Sequence, residues 1–389
     1  MPIKHGFEMI DHKKLFESLG YHGLHPQYIH LLQFLYQNQR GKVGESTVFD
    51  ILKGVKQGDV LSALLFNCVI DVVFEDWKIQ LQQEGIMVPM SSDRLTNTRY
   101  ADDILLYGKT LEELCKMTEL LVEELKKAGL SLNCKKTKIL YSHLIEDEPS
   151  YDYVLIAEDF IQVLHIGSYH RYLGRRISFS SDRCNIELNY RIQQGWAMFH
   201  RHKKCILNKH VSLKHRLKYF DVCVTPTLLF ALVVLPISKT KIESMDCLQR
   251  KMLRRIVGWR RIDDEEWSIT MHRMRVRLEN AEVLYCCEAW SKKYLRLQWR
   301  YAVYLSKQSS DLWARKLKRS TTSAIQDTCA YYVPHRDPGH PKLRWDDHLR
   351  HFCRVKWPER NSEHWLDILL TLNNSNELEM EYVEFMLHE

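Results

Sequence analysis

Two adjacent aspartates constrain this chain more than any other feature. The segment Tyr100–Asp103 reads Tyr-Ala-Asp-Asp and is followed directly by the apolar run Ile104–Tyr107. Neighbouring carboxylates repel each other, so a fold seldom places them beside a buried segment unless a cation lies against them. The pattern predicts a strand–turn–strand hairpin over residues 94–108, with the acidic pair at its tip and the apolar run buried as the second strand. A solvated acidic turn is the alternative for such a pair taken alone.

The chemistry of the pair depends on the cation that it suits. Carboxylate oxygens are ligands for hard cations such as Mg²⁺, which keeps some of its waters and bridges to substrate phosphates. A site of this kind supplies the metal half of two-metal phosphoryl or nucleotidyl transfer. Asp102 and Asp103 are therefore candidate catalytic residues and candidate metal ligands.

The order of periodic segments predicts an α+β fold for the first part of the chain. Apolar residues at helical spacing predict a helix over residues 7–36, interrupted at Gly20 and at Gly23–Pro26, and a second helix over residues 60–77. Between them, a short hairpin is expected around Gly44–Ser46. Strands interleaved with helices indicate a mixed layer of both.

Cap signals bound the next helix. Thr110 and Glu113 form a capping box, and Gly129 is a natural C-terminal cap. Strands are expected over residues 130–133 and 137–141. From Asp182 onward the pattern is predominantly helical, and the expected helices cover residues 187–204, 213–234, 241–257 and 279–317.

Composition narrows the class of protein. Net charge is +7 over 389 residues, but residues 191–320 carry 28 Lys and Arg against 11 Asp and Glu. Such a basic, aromatic-rich region predicts a polyanionic partner, with solvated helix faces as the alternative.

The 11 cysteines show no metal-binding spacing and indicate reduced intracellular thiols, in the nucleus or the cytoplasm. The apolar stretch Val222–Ile237 is shorter than a membrane span and is interpreted as a buried helix; the chain is therefore expected to be neither secreted nor transmembrane.

Four segments, in this order along the chain, resemble motifs of the reverse transcriptases of non-LTR, LINE-like retrotransposons. They are Lys56–Asn67, with Ala63 where proline is usual, Tyr100–Asp103, Gly129–Lys138, and Tyr172–Gly174. The resemblance covers roughly residues 3–260, and Gly339–Asp347 is similar to a short C-terminal motif of some of these elements.

The resemblance implies a right-hand polymerase. Its palm, an antiparallel sheet with helices, would comprise residues 1–178 and include the primer-grip hairpin; a helical thumb would follow over 179–262, and a basic, mostly helical C-terminal region over 263–389. The fingers would be absent, as in an N-terminally truncated member. The implied reaction joins a primer 3′-hydroxyl to the α-phosphate of a deoxynucleoside triphosphate, copying an RNA template into DNA with two Mg²⁺ ions, or with Mn²⁺ in their place.

The resemblance also assigns roles to residues. Asp102 would ligate the metal ions most directly, with Asp103 in support. Gln57 and Gly58 would lie against the template base and the incoming nucleotide, and Lys138 near the triphosphate, with Lys135 and Lys136 as competitors. Phe7 would screen the sugar 2′ position, and Tyr172, Leu173 and Gly174 would hold the primer end.

One departure from the family pattern bears on activity. A two-metal site needs a third carboxylate, and the family supplies it five residues before the aromatic that corresponds to Phe7. That position holds Pro2, which has no oxygen in its side chain. Substitution by Glu8 or Asp11 is disfavoured in this register. Two functions therefore remain: a reverse transcriptase derived from a retrotransposon and incomplete in its catalytic site, or a catalytically inactive remnant that binds nucleic acid.

Overall fold

The structure is a computed structural model that describes residues 1–37, 39–45, 47–86, 95–141, 152–165, 167–180, 182–258, 260–285, 287–315, 345–372 and 375–388. These residues form two compact units, which meet in sequence at Ser180. In the described residues, unit 1 mixes strands with helices and unit 2 is helical. The predicted α+β class is confirmed, whereas the division into palm, thumb and C-terminal region stays a prediction.

Unit 1 combines short helices and strands around two long helices. Its helices are α1 (Gly6–Met9), α2 (His12–Tyr21), α3 (Pro26–Gln37), α4 (Ser62–Gln83) and α5 (Leu111–Lys127). Its strands are β1 (Arg40–Gly41), β2 (Phe49–Asp50), β3 (Asn97–Tyr100), β4 (Asp103–Leu106), β5 (Lys138–Leu140), β6 (Tyr153–Ile156), β7 (Asp159–Leu164), β8 (His170–Tyr172) and β9 (Arg175–Ile177).

The first residues of the chain form an extended segment that joins two parts of unit 1. Met1–Lys4 pairs on one side with the start of β4, where the Ile3 N–H donates to the Asp102 carbonyl at 2.9 Å. On its other side the Lys4 N–H donates to the Ser131 carbonyl at 2.8 Å. This segment therefore acts as a central strand between the acidic hairpin and the turn that follows α5.

Packing of α4 against α5 forms the core of this unit. Trp77 of α4 is fully buried, and its indole N–H donates to the Met117 carbonyl of α5 at 2.9 Å. Leu121 and Leu125 of α5 and Phe66 of α4 are fully buried in the same cluster. The hairpin reaches this core through Ile104, so the acidic tip is held on a rigid base.

The predicted caps of α5 are confirmed. The Thr110 hydroxyl accepts from the Glu113 N–H at 3.1 Å, and the Glu113 carboxylate accepts from the Lys109 N–H at 3.0 Å. Gly129 has φ +75°, the left-handed conformation that favours glycine. The prediction of an interruption at Gly20 is wrong, because Gly20 lies inside α2. The helix predicted over residues 7–36 breaks instead between α1 and α2, at Ile10 and Asp11, and again before Pro26, the first position of α3.

The strands pair mostly as antiparallel hairpins, with one exception. β1 pairs with β2, β3 with β4, β6 with β7 and β8 with β9, all antiparallel. β5 instead runs parallel to β7, in the order β5-β7-β6. This departs from the expected antiparallel sheet: the β6–β7 hairpin occupies one edge of β7 and leaves the opposite edge to β5.

Unit 2 is built from helices around an aromatic-rich core. Its helices are α6 (Arg183–Arg201), α7 (Lys203–Ile206), α8 (Leu213–Leu229), α9 (Lys239–Val257), α10 (Trp267–Leu284), α11 (Trp290–Lys307), α12 (Asp347–Lys356), α13 (Trp365–Leu370) and α14 (Ser375–His388), with 3₁₀ turns at Leu232–Val234 and Pro358–Arg360. The single helix predicted over 279–317 is wrong, because α10 ends at Leu284 and α11 begins at Trp290.

Tryptophans fill this core. Trp290 and Trp299 are fully or almost fully buried, and Trp345 is 5% exposed. Trp345 donates its indole N–H to the Val233 carbonyl at 2.5 Å. The part of the C-terminal motif that precedes Trp345 lies outside the described residues.

One described stretch of unit 2, Leu213–Val234, is long and apolar enough to cross a membrane by length and composition. Phe220, Val224 and Leu228 from this stretch are buried in the core of unit 2, which is the environment of a core helix.

Candidate functional site

The acidic pair lies at the end of the β3–β4 hairpin. Tyr100 pairs with Asp103, so that Ala101 and Asp102 form a two-residue turn. Ala101 has φ +51°, a left-handed conformation that costs energy for a residue other than glycine. Tyr100 is 67% exposed, whereas Ile104 is fully buried. The predicted hairpin is confirmed, with paired strands at Asn97–Tyr100 and Asp103–Leu106. Its second strand is buried only at Ile104, and the rest of the apolar run is partly exposed.

Pro2 lies directly opposite Asp103. The two residues form an antiparallel bridge, in which the Ile104 N–H donates to the Met1 carbonyl at 3.0 Å. Side chains of directly opposed residues point to the same face, with Cβ atoms about 5 Å apart. On its other side the Pro2 carbonyl accepts from the Asn133 N–H at 2.9 Å. The position where the sequence lacks the expected carboxylate is therefore adjacent to the acidic pair in space.

Asp103 is surrounded by groups of both charges. Burial raises the pKa of Asp103 above its usual range, and the charge of Asp102 raises it further. The N-terminal ammonium and Lys136 act in the opposite direction and lower this pKa. A cation would stabilise the ionised form of Asp103, because it would offset both the desolvation of this carboxylate and its repulsion from Asp102.

Phe7 is held close to the turn that carries Gln57. The Phe7 ring stacks on Phe66 of α4, with centroids 4.6 Å apart, and the Phe7 carbonyl accepts from the Val55 N–H at 2.6 Å. Gly54 permits this approach, because a Cβ there would lie 2.4 Å from the Glu8 carbonyl oxygen. The structure thus brings the segment around Phe7 against the segment that leads to Gln57.

Gln57 and Gly58 form an exposed turn before α4. Gly58 has φ +92°, and a Cβ added there would meet nothing within 4 Å. The turn is fixed at its base, where the Ser62 hydroxyl donates to the Lys56 carbonyl at 2.6 Å. The open space at Gly58 leaves the backbone accessible to a planar ligand.

The three candidate lysines differ in their surroundings. Lys138 begins β5 and donates its ammonium to the Gln162 side chain at 2.7 Å. Lys135 and Lys136 lie in the exposed turn between Asn133 and β5. Of the three, Lys136 is the one whose charge acts on the pKa of Asp103.

The predicted primer-grip segment forms a tight hairpin. Tyr172 pairs with Arg175, so Leu173 and Gly174 are the two turn residues. Both have positive φ, +47° and +76°, the combination found in type I′ turns. Leucine is an unusual residue in this conformation, and Leu173 is 39% exposed at the tip.

Tyr172 connects this hairpin to the acidic one. Burial raises the pKa of Tyr172 to about 12, and the charges of Tyr107 and Asp103 add to the increase, while a hydrogen bond with Thr98 opposes it. Thr98 and Tyr107 belong to the acidic hairpin, where their hydroxyl groups lie 3.0 Å apart. The structure therefore brings Tyr172 to the flank of the hairpin that carries the aspartates.

Comparisons with known proteins match this part of the chain. Residues 1–177 match the model of the reverse transcriptase (RNA-dependent DNA polymerase) family. A transposon-derived protein of Caenorhabditis elegans is 30% identical over 164 residues. The Pol polyproteins of two R2 retrotransposable elements, from Nasonia vitripennis and Drosophila melanogaster, are 25% identical over 144 residues and 27% identical over 141 residues.

Residues 1–177 are a reverse transcriptase domain of the non-LTR retrotransposon type. The matched segment is 42% of this chain for the nematode protein and 36% and 35% for the polyproteins. It spans 57% of the nematode protein and 14% and 13% of the polyproteins. The reverse transcriptase family uses divalent metal ions, an RNA template and nucleotide substrates.

The acidic pair has no surrounding set of metal ligands among the described residues. Among the described residues there is no group of three or more His, Cys, Asp or Glu side chains arranged to hold a metal. Asp102 and Asp103 provide carboxylates on one side only, and Pro2 stands opposite. Two ions about 4 Å apart require ligands on both sides.

Three features of the reverse transcriptase domain were not predicted from the sequence. Gly54 was not singled out, although its close contact with the Glu8 backbone positions Phe7. Thr98 and Tyr107 were not singled out, although they link Tyr172 to the acidic hairpin. The alternation of side chains along β3 offered a signal for Thr98; nothing local indicated the contact of Gly54.

Proposed function

We propose that this reverse transcriptase domain binds an RNA template and a DNA primer, with the primer end at the tip of the acidic hairpin, and that nucleotide transfer requires a carboxylate at position 2. The observation that carries the proposal is the bridge between Pro2 and Asp103, which brings the family's third carboxylate position next to the acidic pair. In this reading Asp102 and Asp103 are the catalytic carboxylates.

The incoming nucleotide would lie between Phe7 and the Gln57–Gly58 turn. The Phe7 ring, fixed by stacking on Phe66, is a planar wall suited to screening the sugar 2′ position. Gly58 lets a base approach its backbone because no side chain intervenes. Lys136 is the preferred partner for the triphosphate, since its charge reaches Asp103 and the ammonium of Lys138 already bonds to Gln162.

The β8–β9 hairpin would hold the primer end. Its turn, with positive φ at Leu173 and Gly174, leaves Leu173 39% exposed, and Tyr172 bonds to Thr98 of the acidic hairpin. Strain kept at an exposed tip is common where a backbone contacts a ligand, and here it fits contact with the primer strand. Gly174 gives the strand close access to the backbone, because it carries no side chain.

Mg²⁺ is the proposed ion, yet the carboxylates present hold at most part of a two-ion site. Asp102 and Asp103 offer oxygen ligands of the type that Mg²⁺ prefers. The opposing wall is Pro2, which offers no side-chain oxygen. The residues that are present therefore do not fit two metal ions.

Unit 2 contains a basic segment that would bind nucleic acid. No Asp or Glu occurs in residues 188–220, which contain eight Lys and Arg. Six of these side chains are exposed: Arg201, Lys203, Lys204, Lys209, Lys214 and Lys218. Exposed cations without neighbouring acids favour phosphate binding, because they release counterions from the nucleic acid. Replacing both Lys203 and Lys204 by Glu should weaken RNA binding. It should also reduce the slope of log affinity against log salt concentration by about two, because about two fewer counterions are released.

Extension of a DNA primer on an RNA template tests the proposal. The chain with Pro2→Asp should add the deoxynucleotide that the template specifies in the presence of Mg²⁺, whereas the unchanged chain and the matched Pro2→Asn variant should not. Adding Asp102→Asn to Pro2→Asp should abolish the addition.

Three results would contradict the proposal. Equal addition by the unchanged chain would show that position 2 is not needed, and addition that survives Asp102→Asn would locate the chemistry elsewhere. The second candidate function, a binding remnant that does not polymerise, is favoured only by Pro2. The third result, salt-dependent binding of the hybrid without extension by the Pro2→Asp variant, would contradict the proposal and support this second function.

A further inference from the structure

Helix α3 carries apolar residues on more of its surface than unit 1 covers. Ile29, Leu32 and Tyr36, at spacings of three and four, pack against the core of the unit. A second stripe, displaced by one residue and thus by about 100°, consists of Tyr28, Leu31 and Leu35. We call Tyr28, Leu31 and Leu35 the outer stripe.

The outer stripe is exposed. Tyr28 is 61% exposed, Leu31 56% and Leu35 51%, and Phe34 beside them is 67% exposed. With about 200 Å² for an aromatic side chain and somewhat less for leucine, these four residues offer roughly 400 Å² of accessible apolar surface. A standard interface takes about 800 Å² per partner, so this patch is sufficient for the apolar centre of one, with a polar rim around it.

The segment of the chain that carries the outer stripe contains no acidic residue, lysine or arginine. No Asp, Glu, Lys or Arg occurs between Glu17 and Arg40, although 27% of all residues in the chain are charged. A nucleic-acid surface needs cations, so this patch does not fit the polyanion that the basic segment of unit 2 suits. A surface without charge can meet a copy of itself without bringing like charges together.

The spacing of the outer stripe is also symmetric. In an antiparallel pair of helices related by a twofold axis near Leu31, Tyr28 of one copy faces Leu35 of the other, and Leu31 faces Leu31. We propose that α3 is a homodimer interface, in which the outer stripes of two copies of this chain pack antiparallel across a twofold axis.

Sedimentation velocity of the full chain over a range of concentrations tests this proposal. The unchanged chain should form a concentration-dependent dimer. Leu31→Glu should give a monomer, because it places two carboxylates face to face on the axis. Ile79→Glu on α4 is the matched control, since Ile79 is 52% exposed, and it should leave the dimer intact.

A charge pair tests the antiparallel register. Leu35→Glu alone should weaken the dimer, and adding Tyr28→Lys should restore it, because the new ammonium faces the new carboxylate of the other copy. Circular dichroism verifies that each variant is folded; the changes are on the surface. A chain that stays monomeric at every concentration, or a dimer that survives Leu31→Glu, would overturn the proposal. A dimer lost in Leu35→Glu and not restored by Tyr28→Lys would overturn the register.

Discussion

Replacing Pro2 by Asp should make the stability of unit 1 depend on Mg²⁺. The new carboxylate would face Asp103 across the antiparallel bridge, with Cβ atoms about 5 Å apart. The bridge itself should persist, because its hydrogen bonds are made by the residues on either side of Pro2, such as the Ile3 N–H. The substitution therefore adds a charge without removing a backbone bond.

The size of the effect follows from the distance. Two unit charges about 5 Å apart repel by about 3 kcal/mol at an effective dielectric constant near 20. Asp103 is partly exposed, and solvent screening reduces the cost to about 1 kcal/mol. For a unit of this size, that corresponds to a melting temperature lower by about 2–4 °C. Mg²⁺ bound between the carboxylates of the native state would offset this cost and stabilise the unit.

Differential scanning calorimetry of the full chain measures this effect. Pro2→Asn is the control, because it removes the same proline and adds no charge. Without divalent ions, Pro2→Asp should melt below Pro2→Asn, and with saturating Mg²⁺ the order should reverse. Identical melting of the two variants in both conditions would show that position 2 does not face Asp103, and would refute the reasoning.

Three further predictions concern stability alone. Gly54→Ala should destabilise unit 1 by about 3 kcal/mol or more, because the added Cβ would lie 2.4 Å from a backbone oxygen. Gly58→Ala, which has open space around it and a similar φ, should cost only about 1 kcal/mol. Urea unfolding of the two variants compares these free energies, and equal losses would contradict the close contact of Gly54. Leu173→Asn should raise the free energy of unfolding by about 1 kcal/mol in the same assay, since asparagine tolerates the left-handed turn, and no gain over Leu173→Ala would argue against strain there. The pKa of Asp103 is raised in the folded state, so the protonated carboxyl stabilises the fold at acid pH, and this stabilisation is lost as the pH rises through the folded pKa. Asp103→Asn should therefore be more stable than the unchanged chain at neutral pH, and the difference should vanish in acid. Melting curves at several pH values that show the opposite trend would contradict the raised pKa.

Local signals made part of this fold predictable. The β3–β4 hairpin follows from a turn beside an apolar run, and α5 follows from Thr110 at its start and Gly129 at its end. Each of these depends on residues close together in sequence, where steric and hydrogen-bonding preferences decide the conformation. The pairing of Tyr172 with Arg175 is local in the same way.

Long-range contacts were not predictable in this manner. The parallel pairing of β5 with β7 depends on which edge a distant hairpin leaves open. The approach of Gly54 to Glu8 and the effect of Lys136 on Asp103 join segments far apart in sequence, and no periodicity encodes them. The family motif identified position 2 as the place of the missing carboxylate. Its position beside the β3–β4 hairpin, however, depends on the fold and could not be predicted from the motif.

The central claim is that position 2 and the hairpin tip form the two walls of one metal site. Anomalous scattering from Mn²⁺ in crystals of the Pro2→Asp variant tests it most directly. We predict an ion bonded both to Asp102 and to the carboxylate introduced at position 2, and none bridging that position in Pro2→Asn crystals. An ion bound by the hairpin but out of reach of the new carboxylate, or no ion at the tip, would contradict the claim.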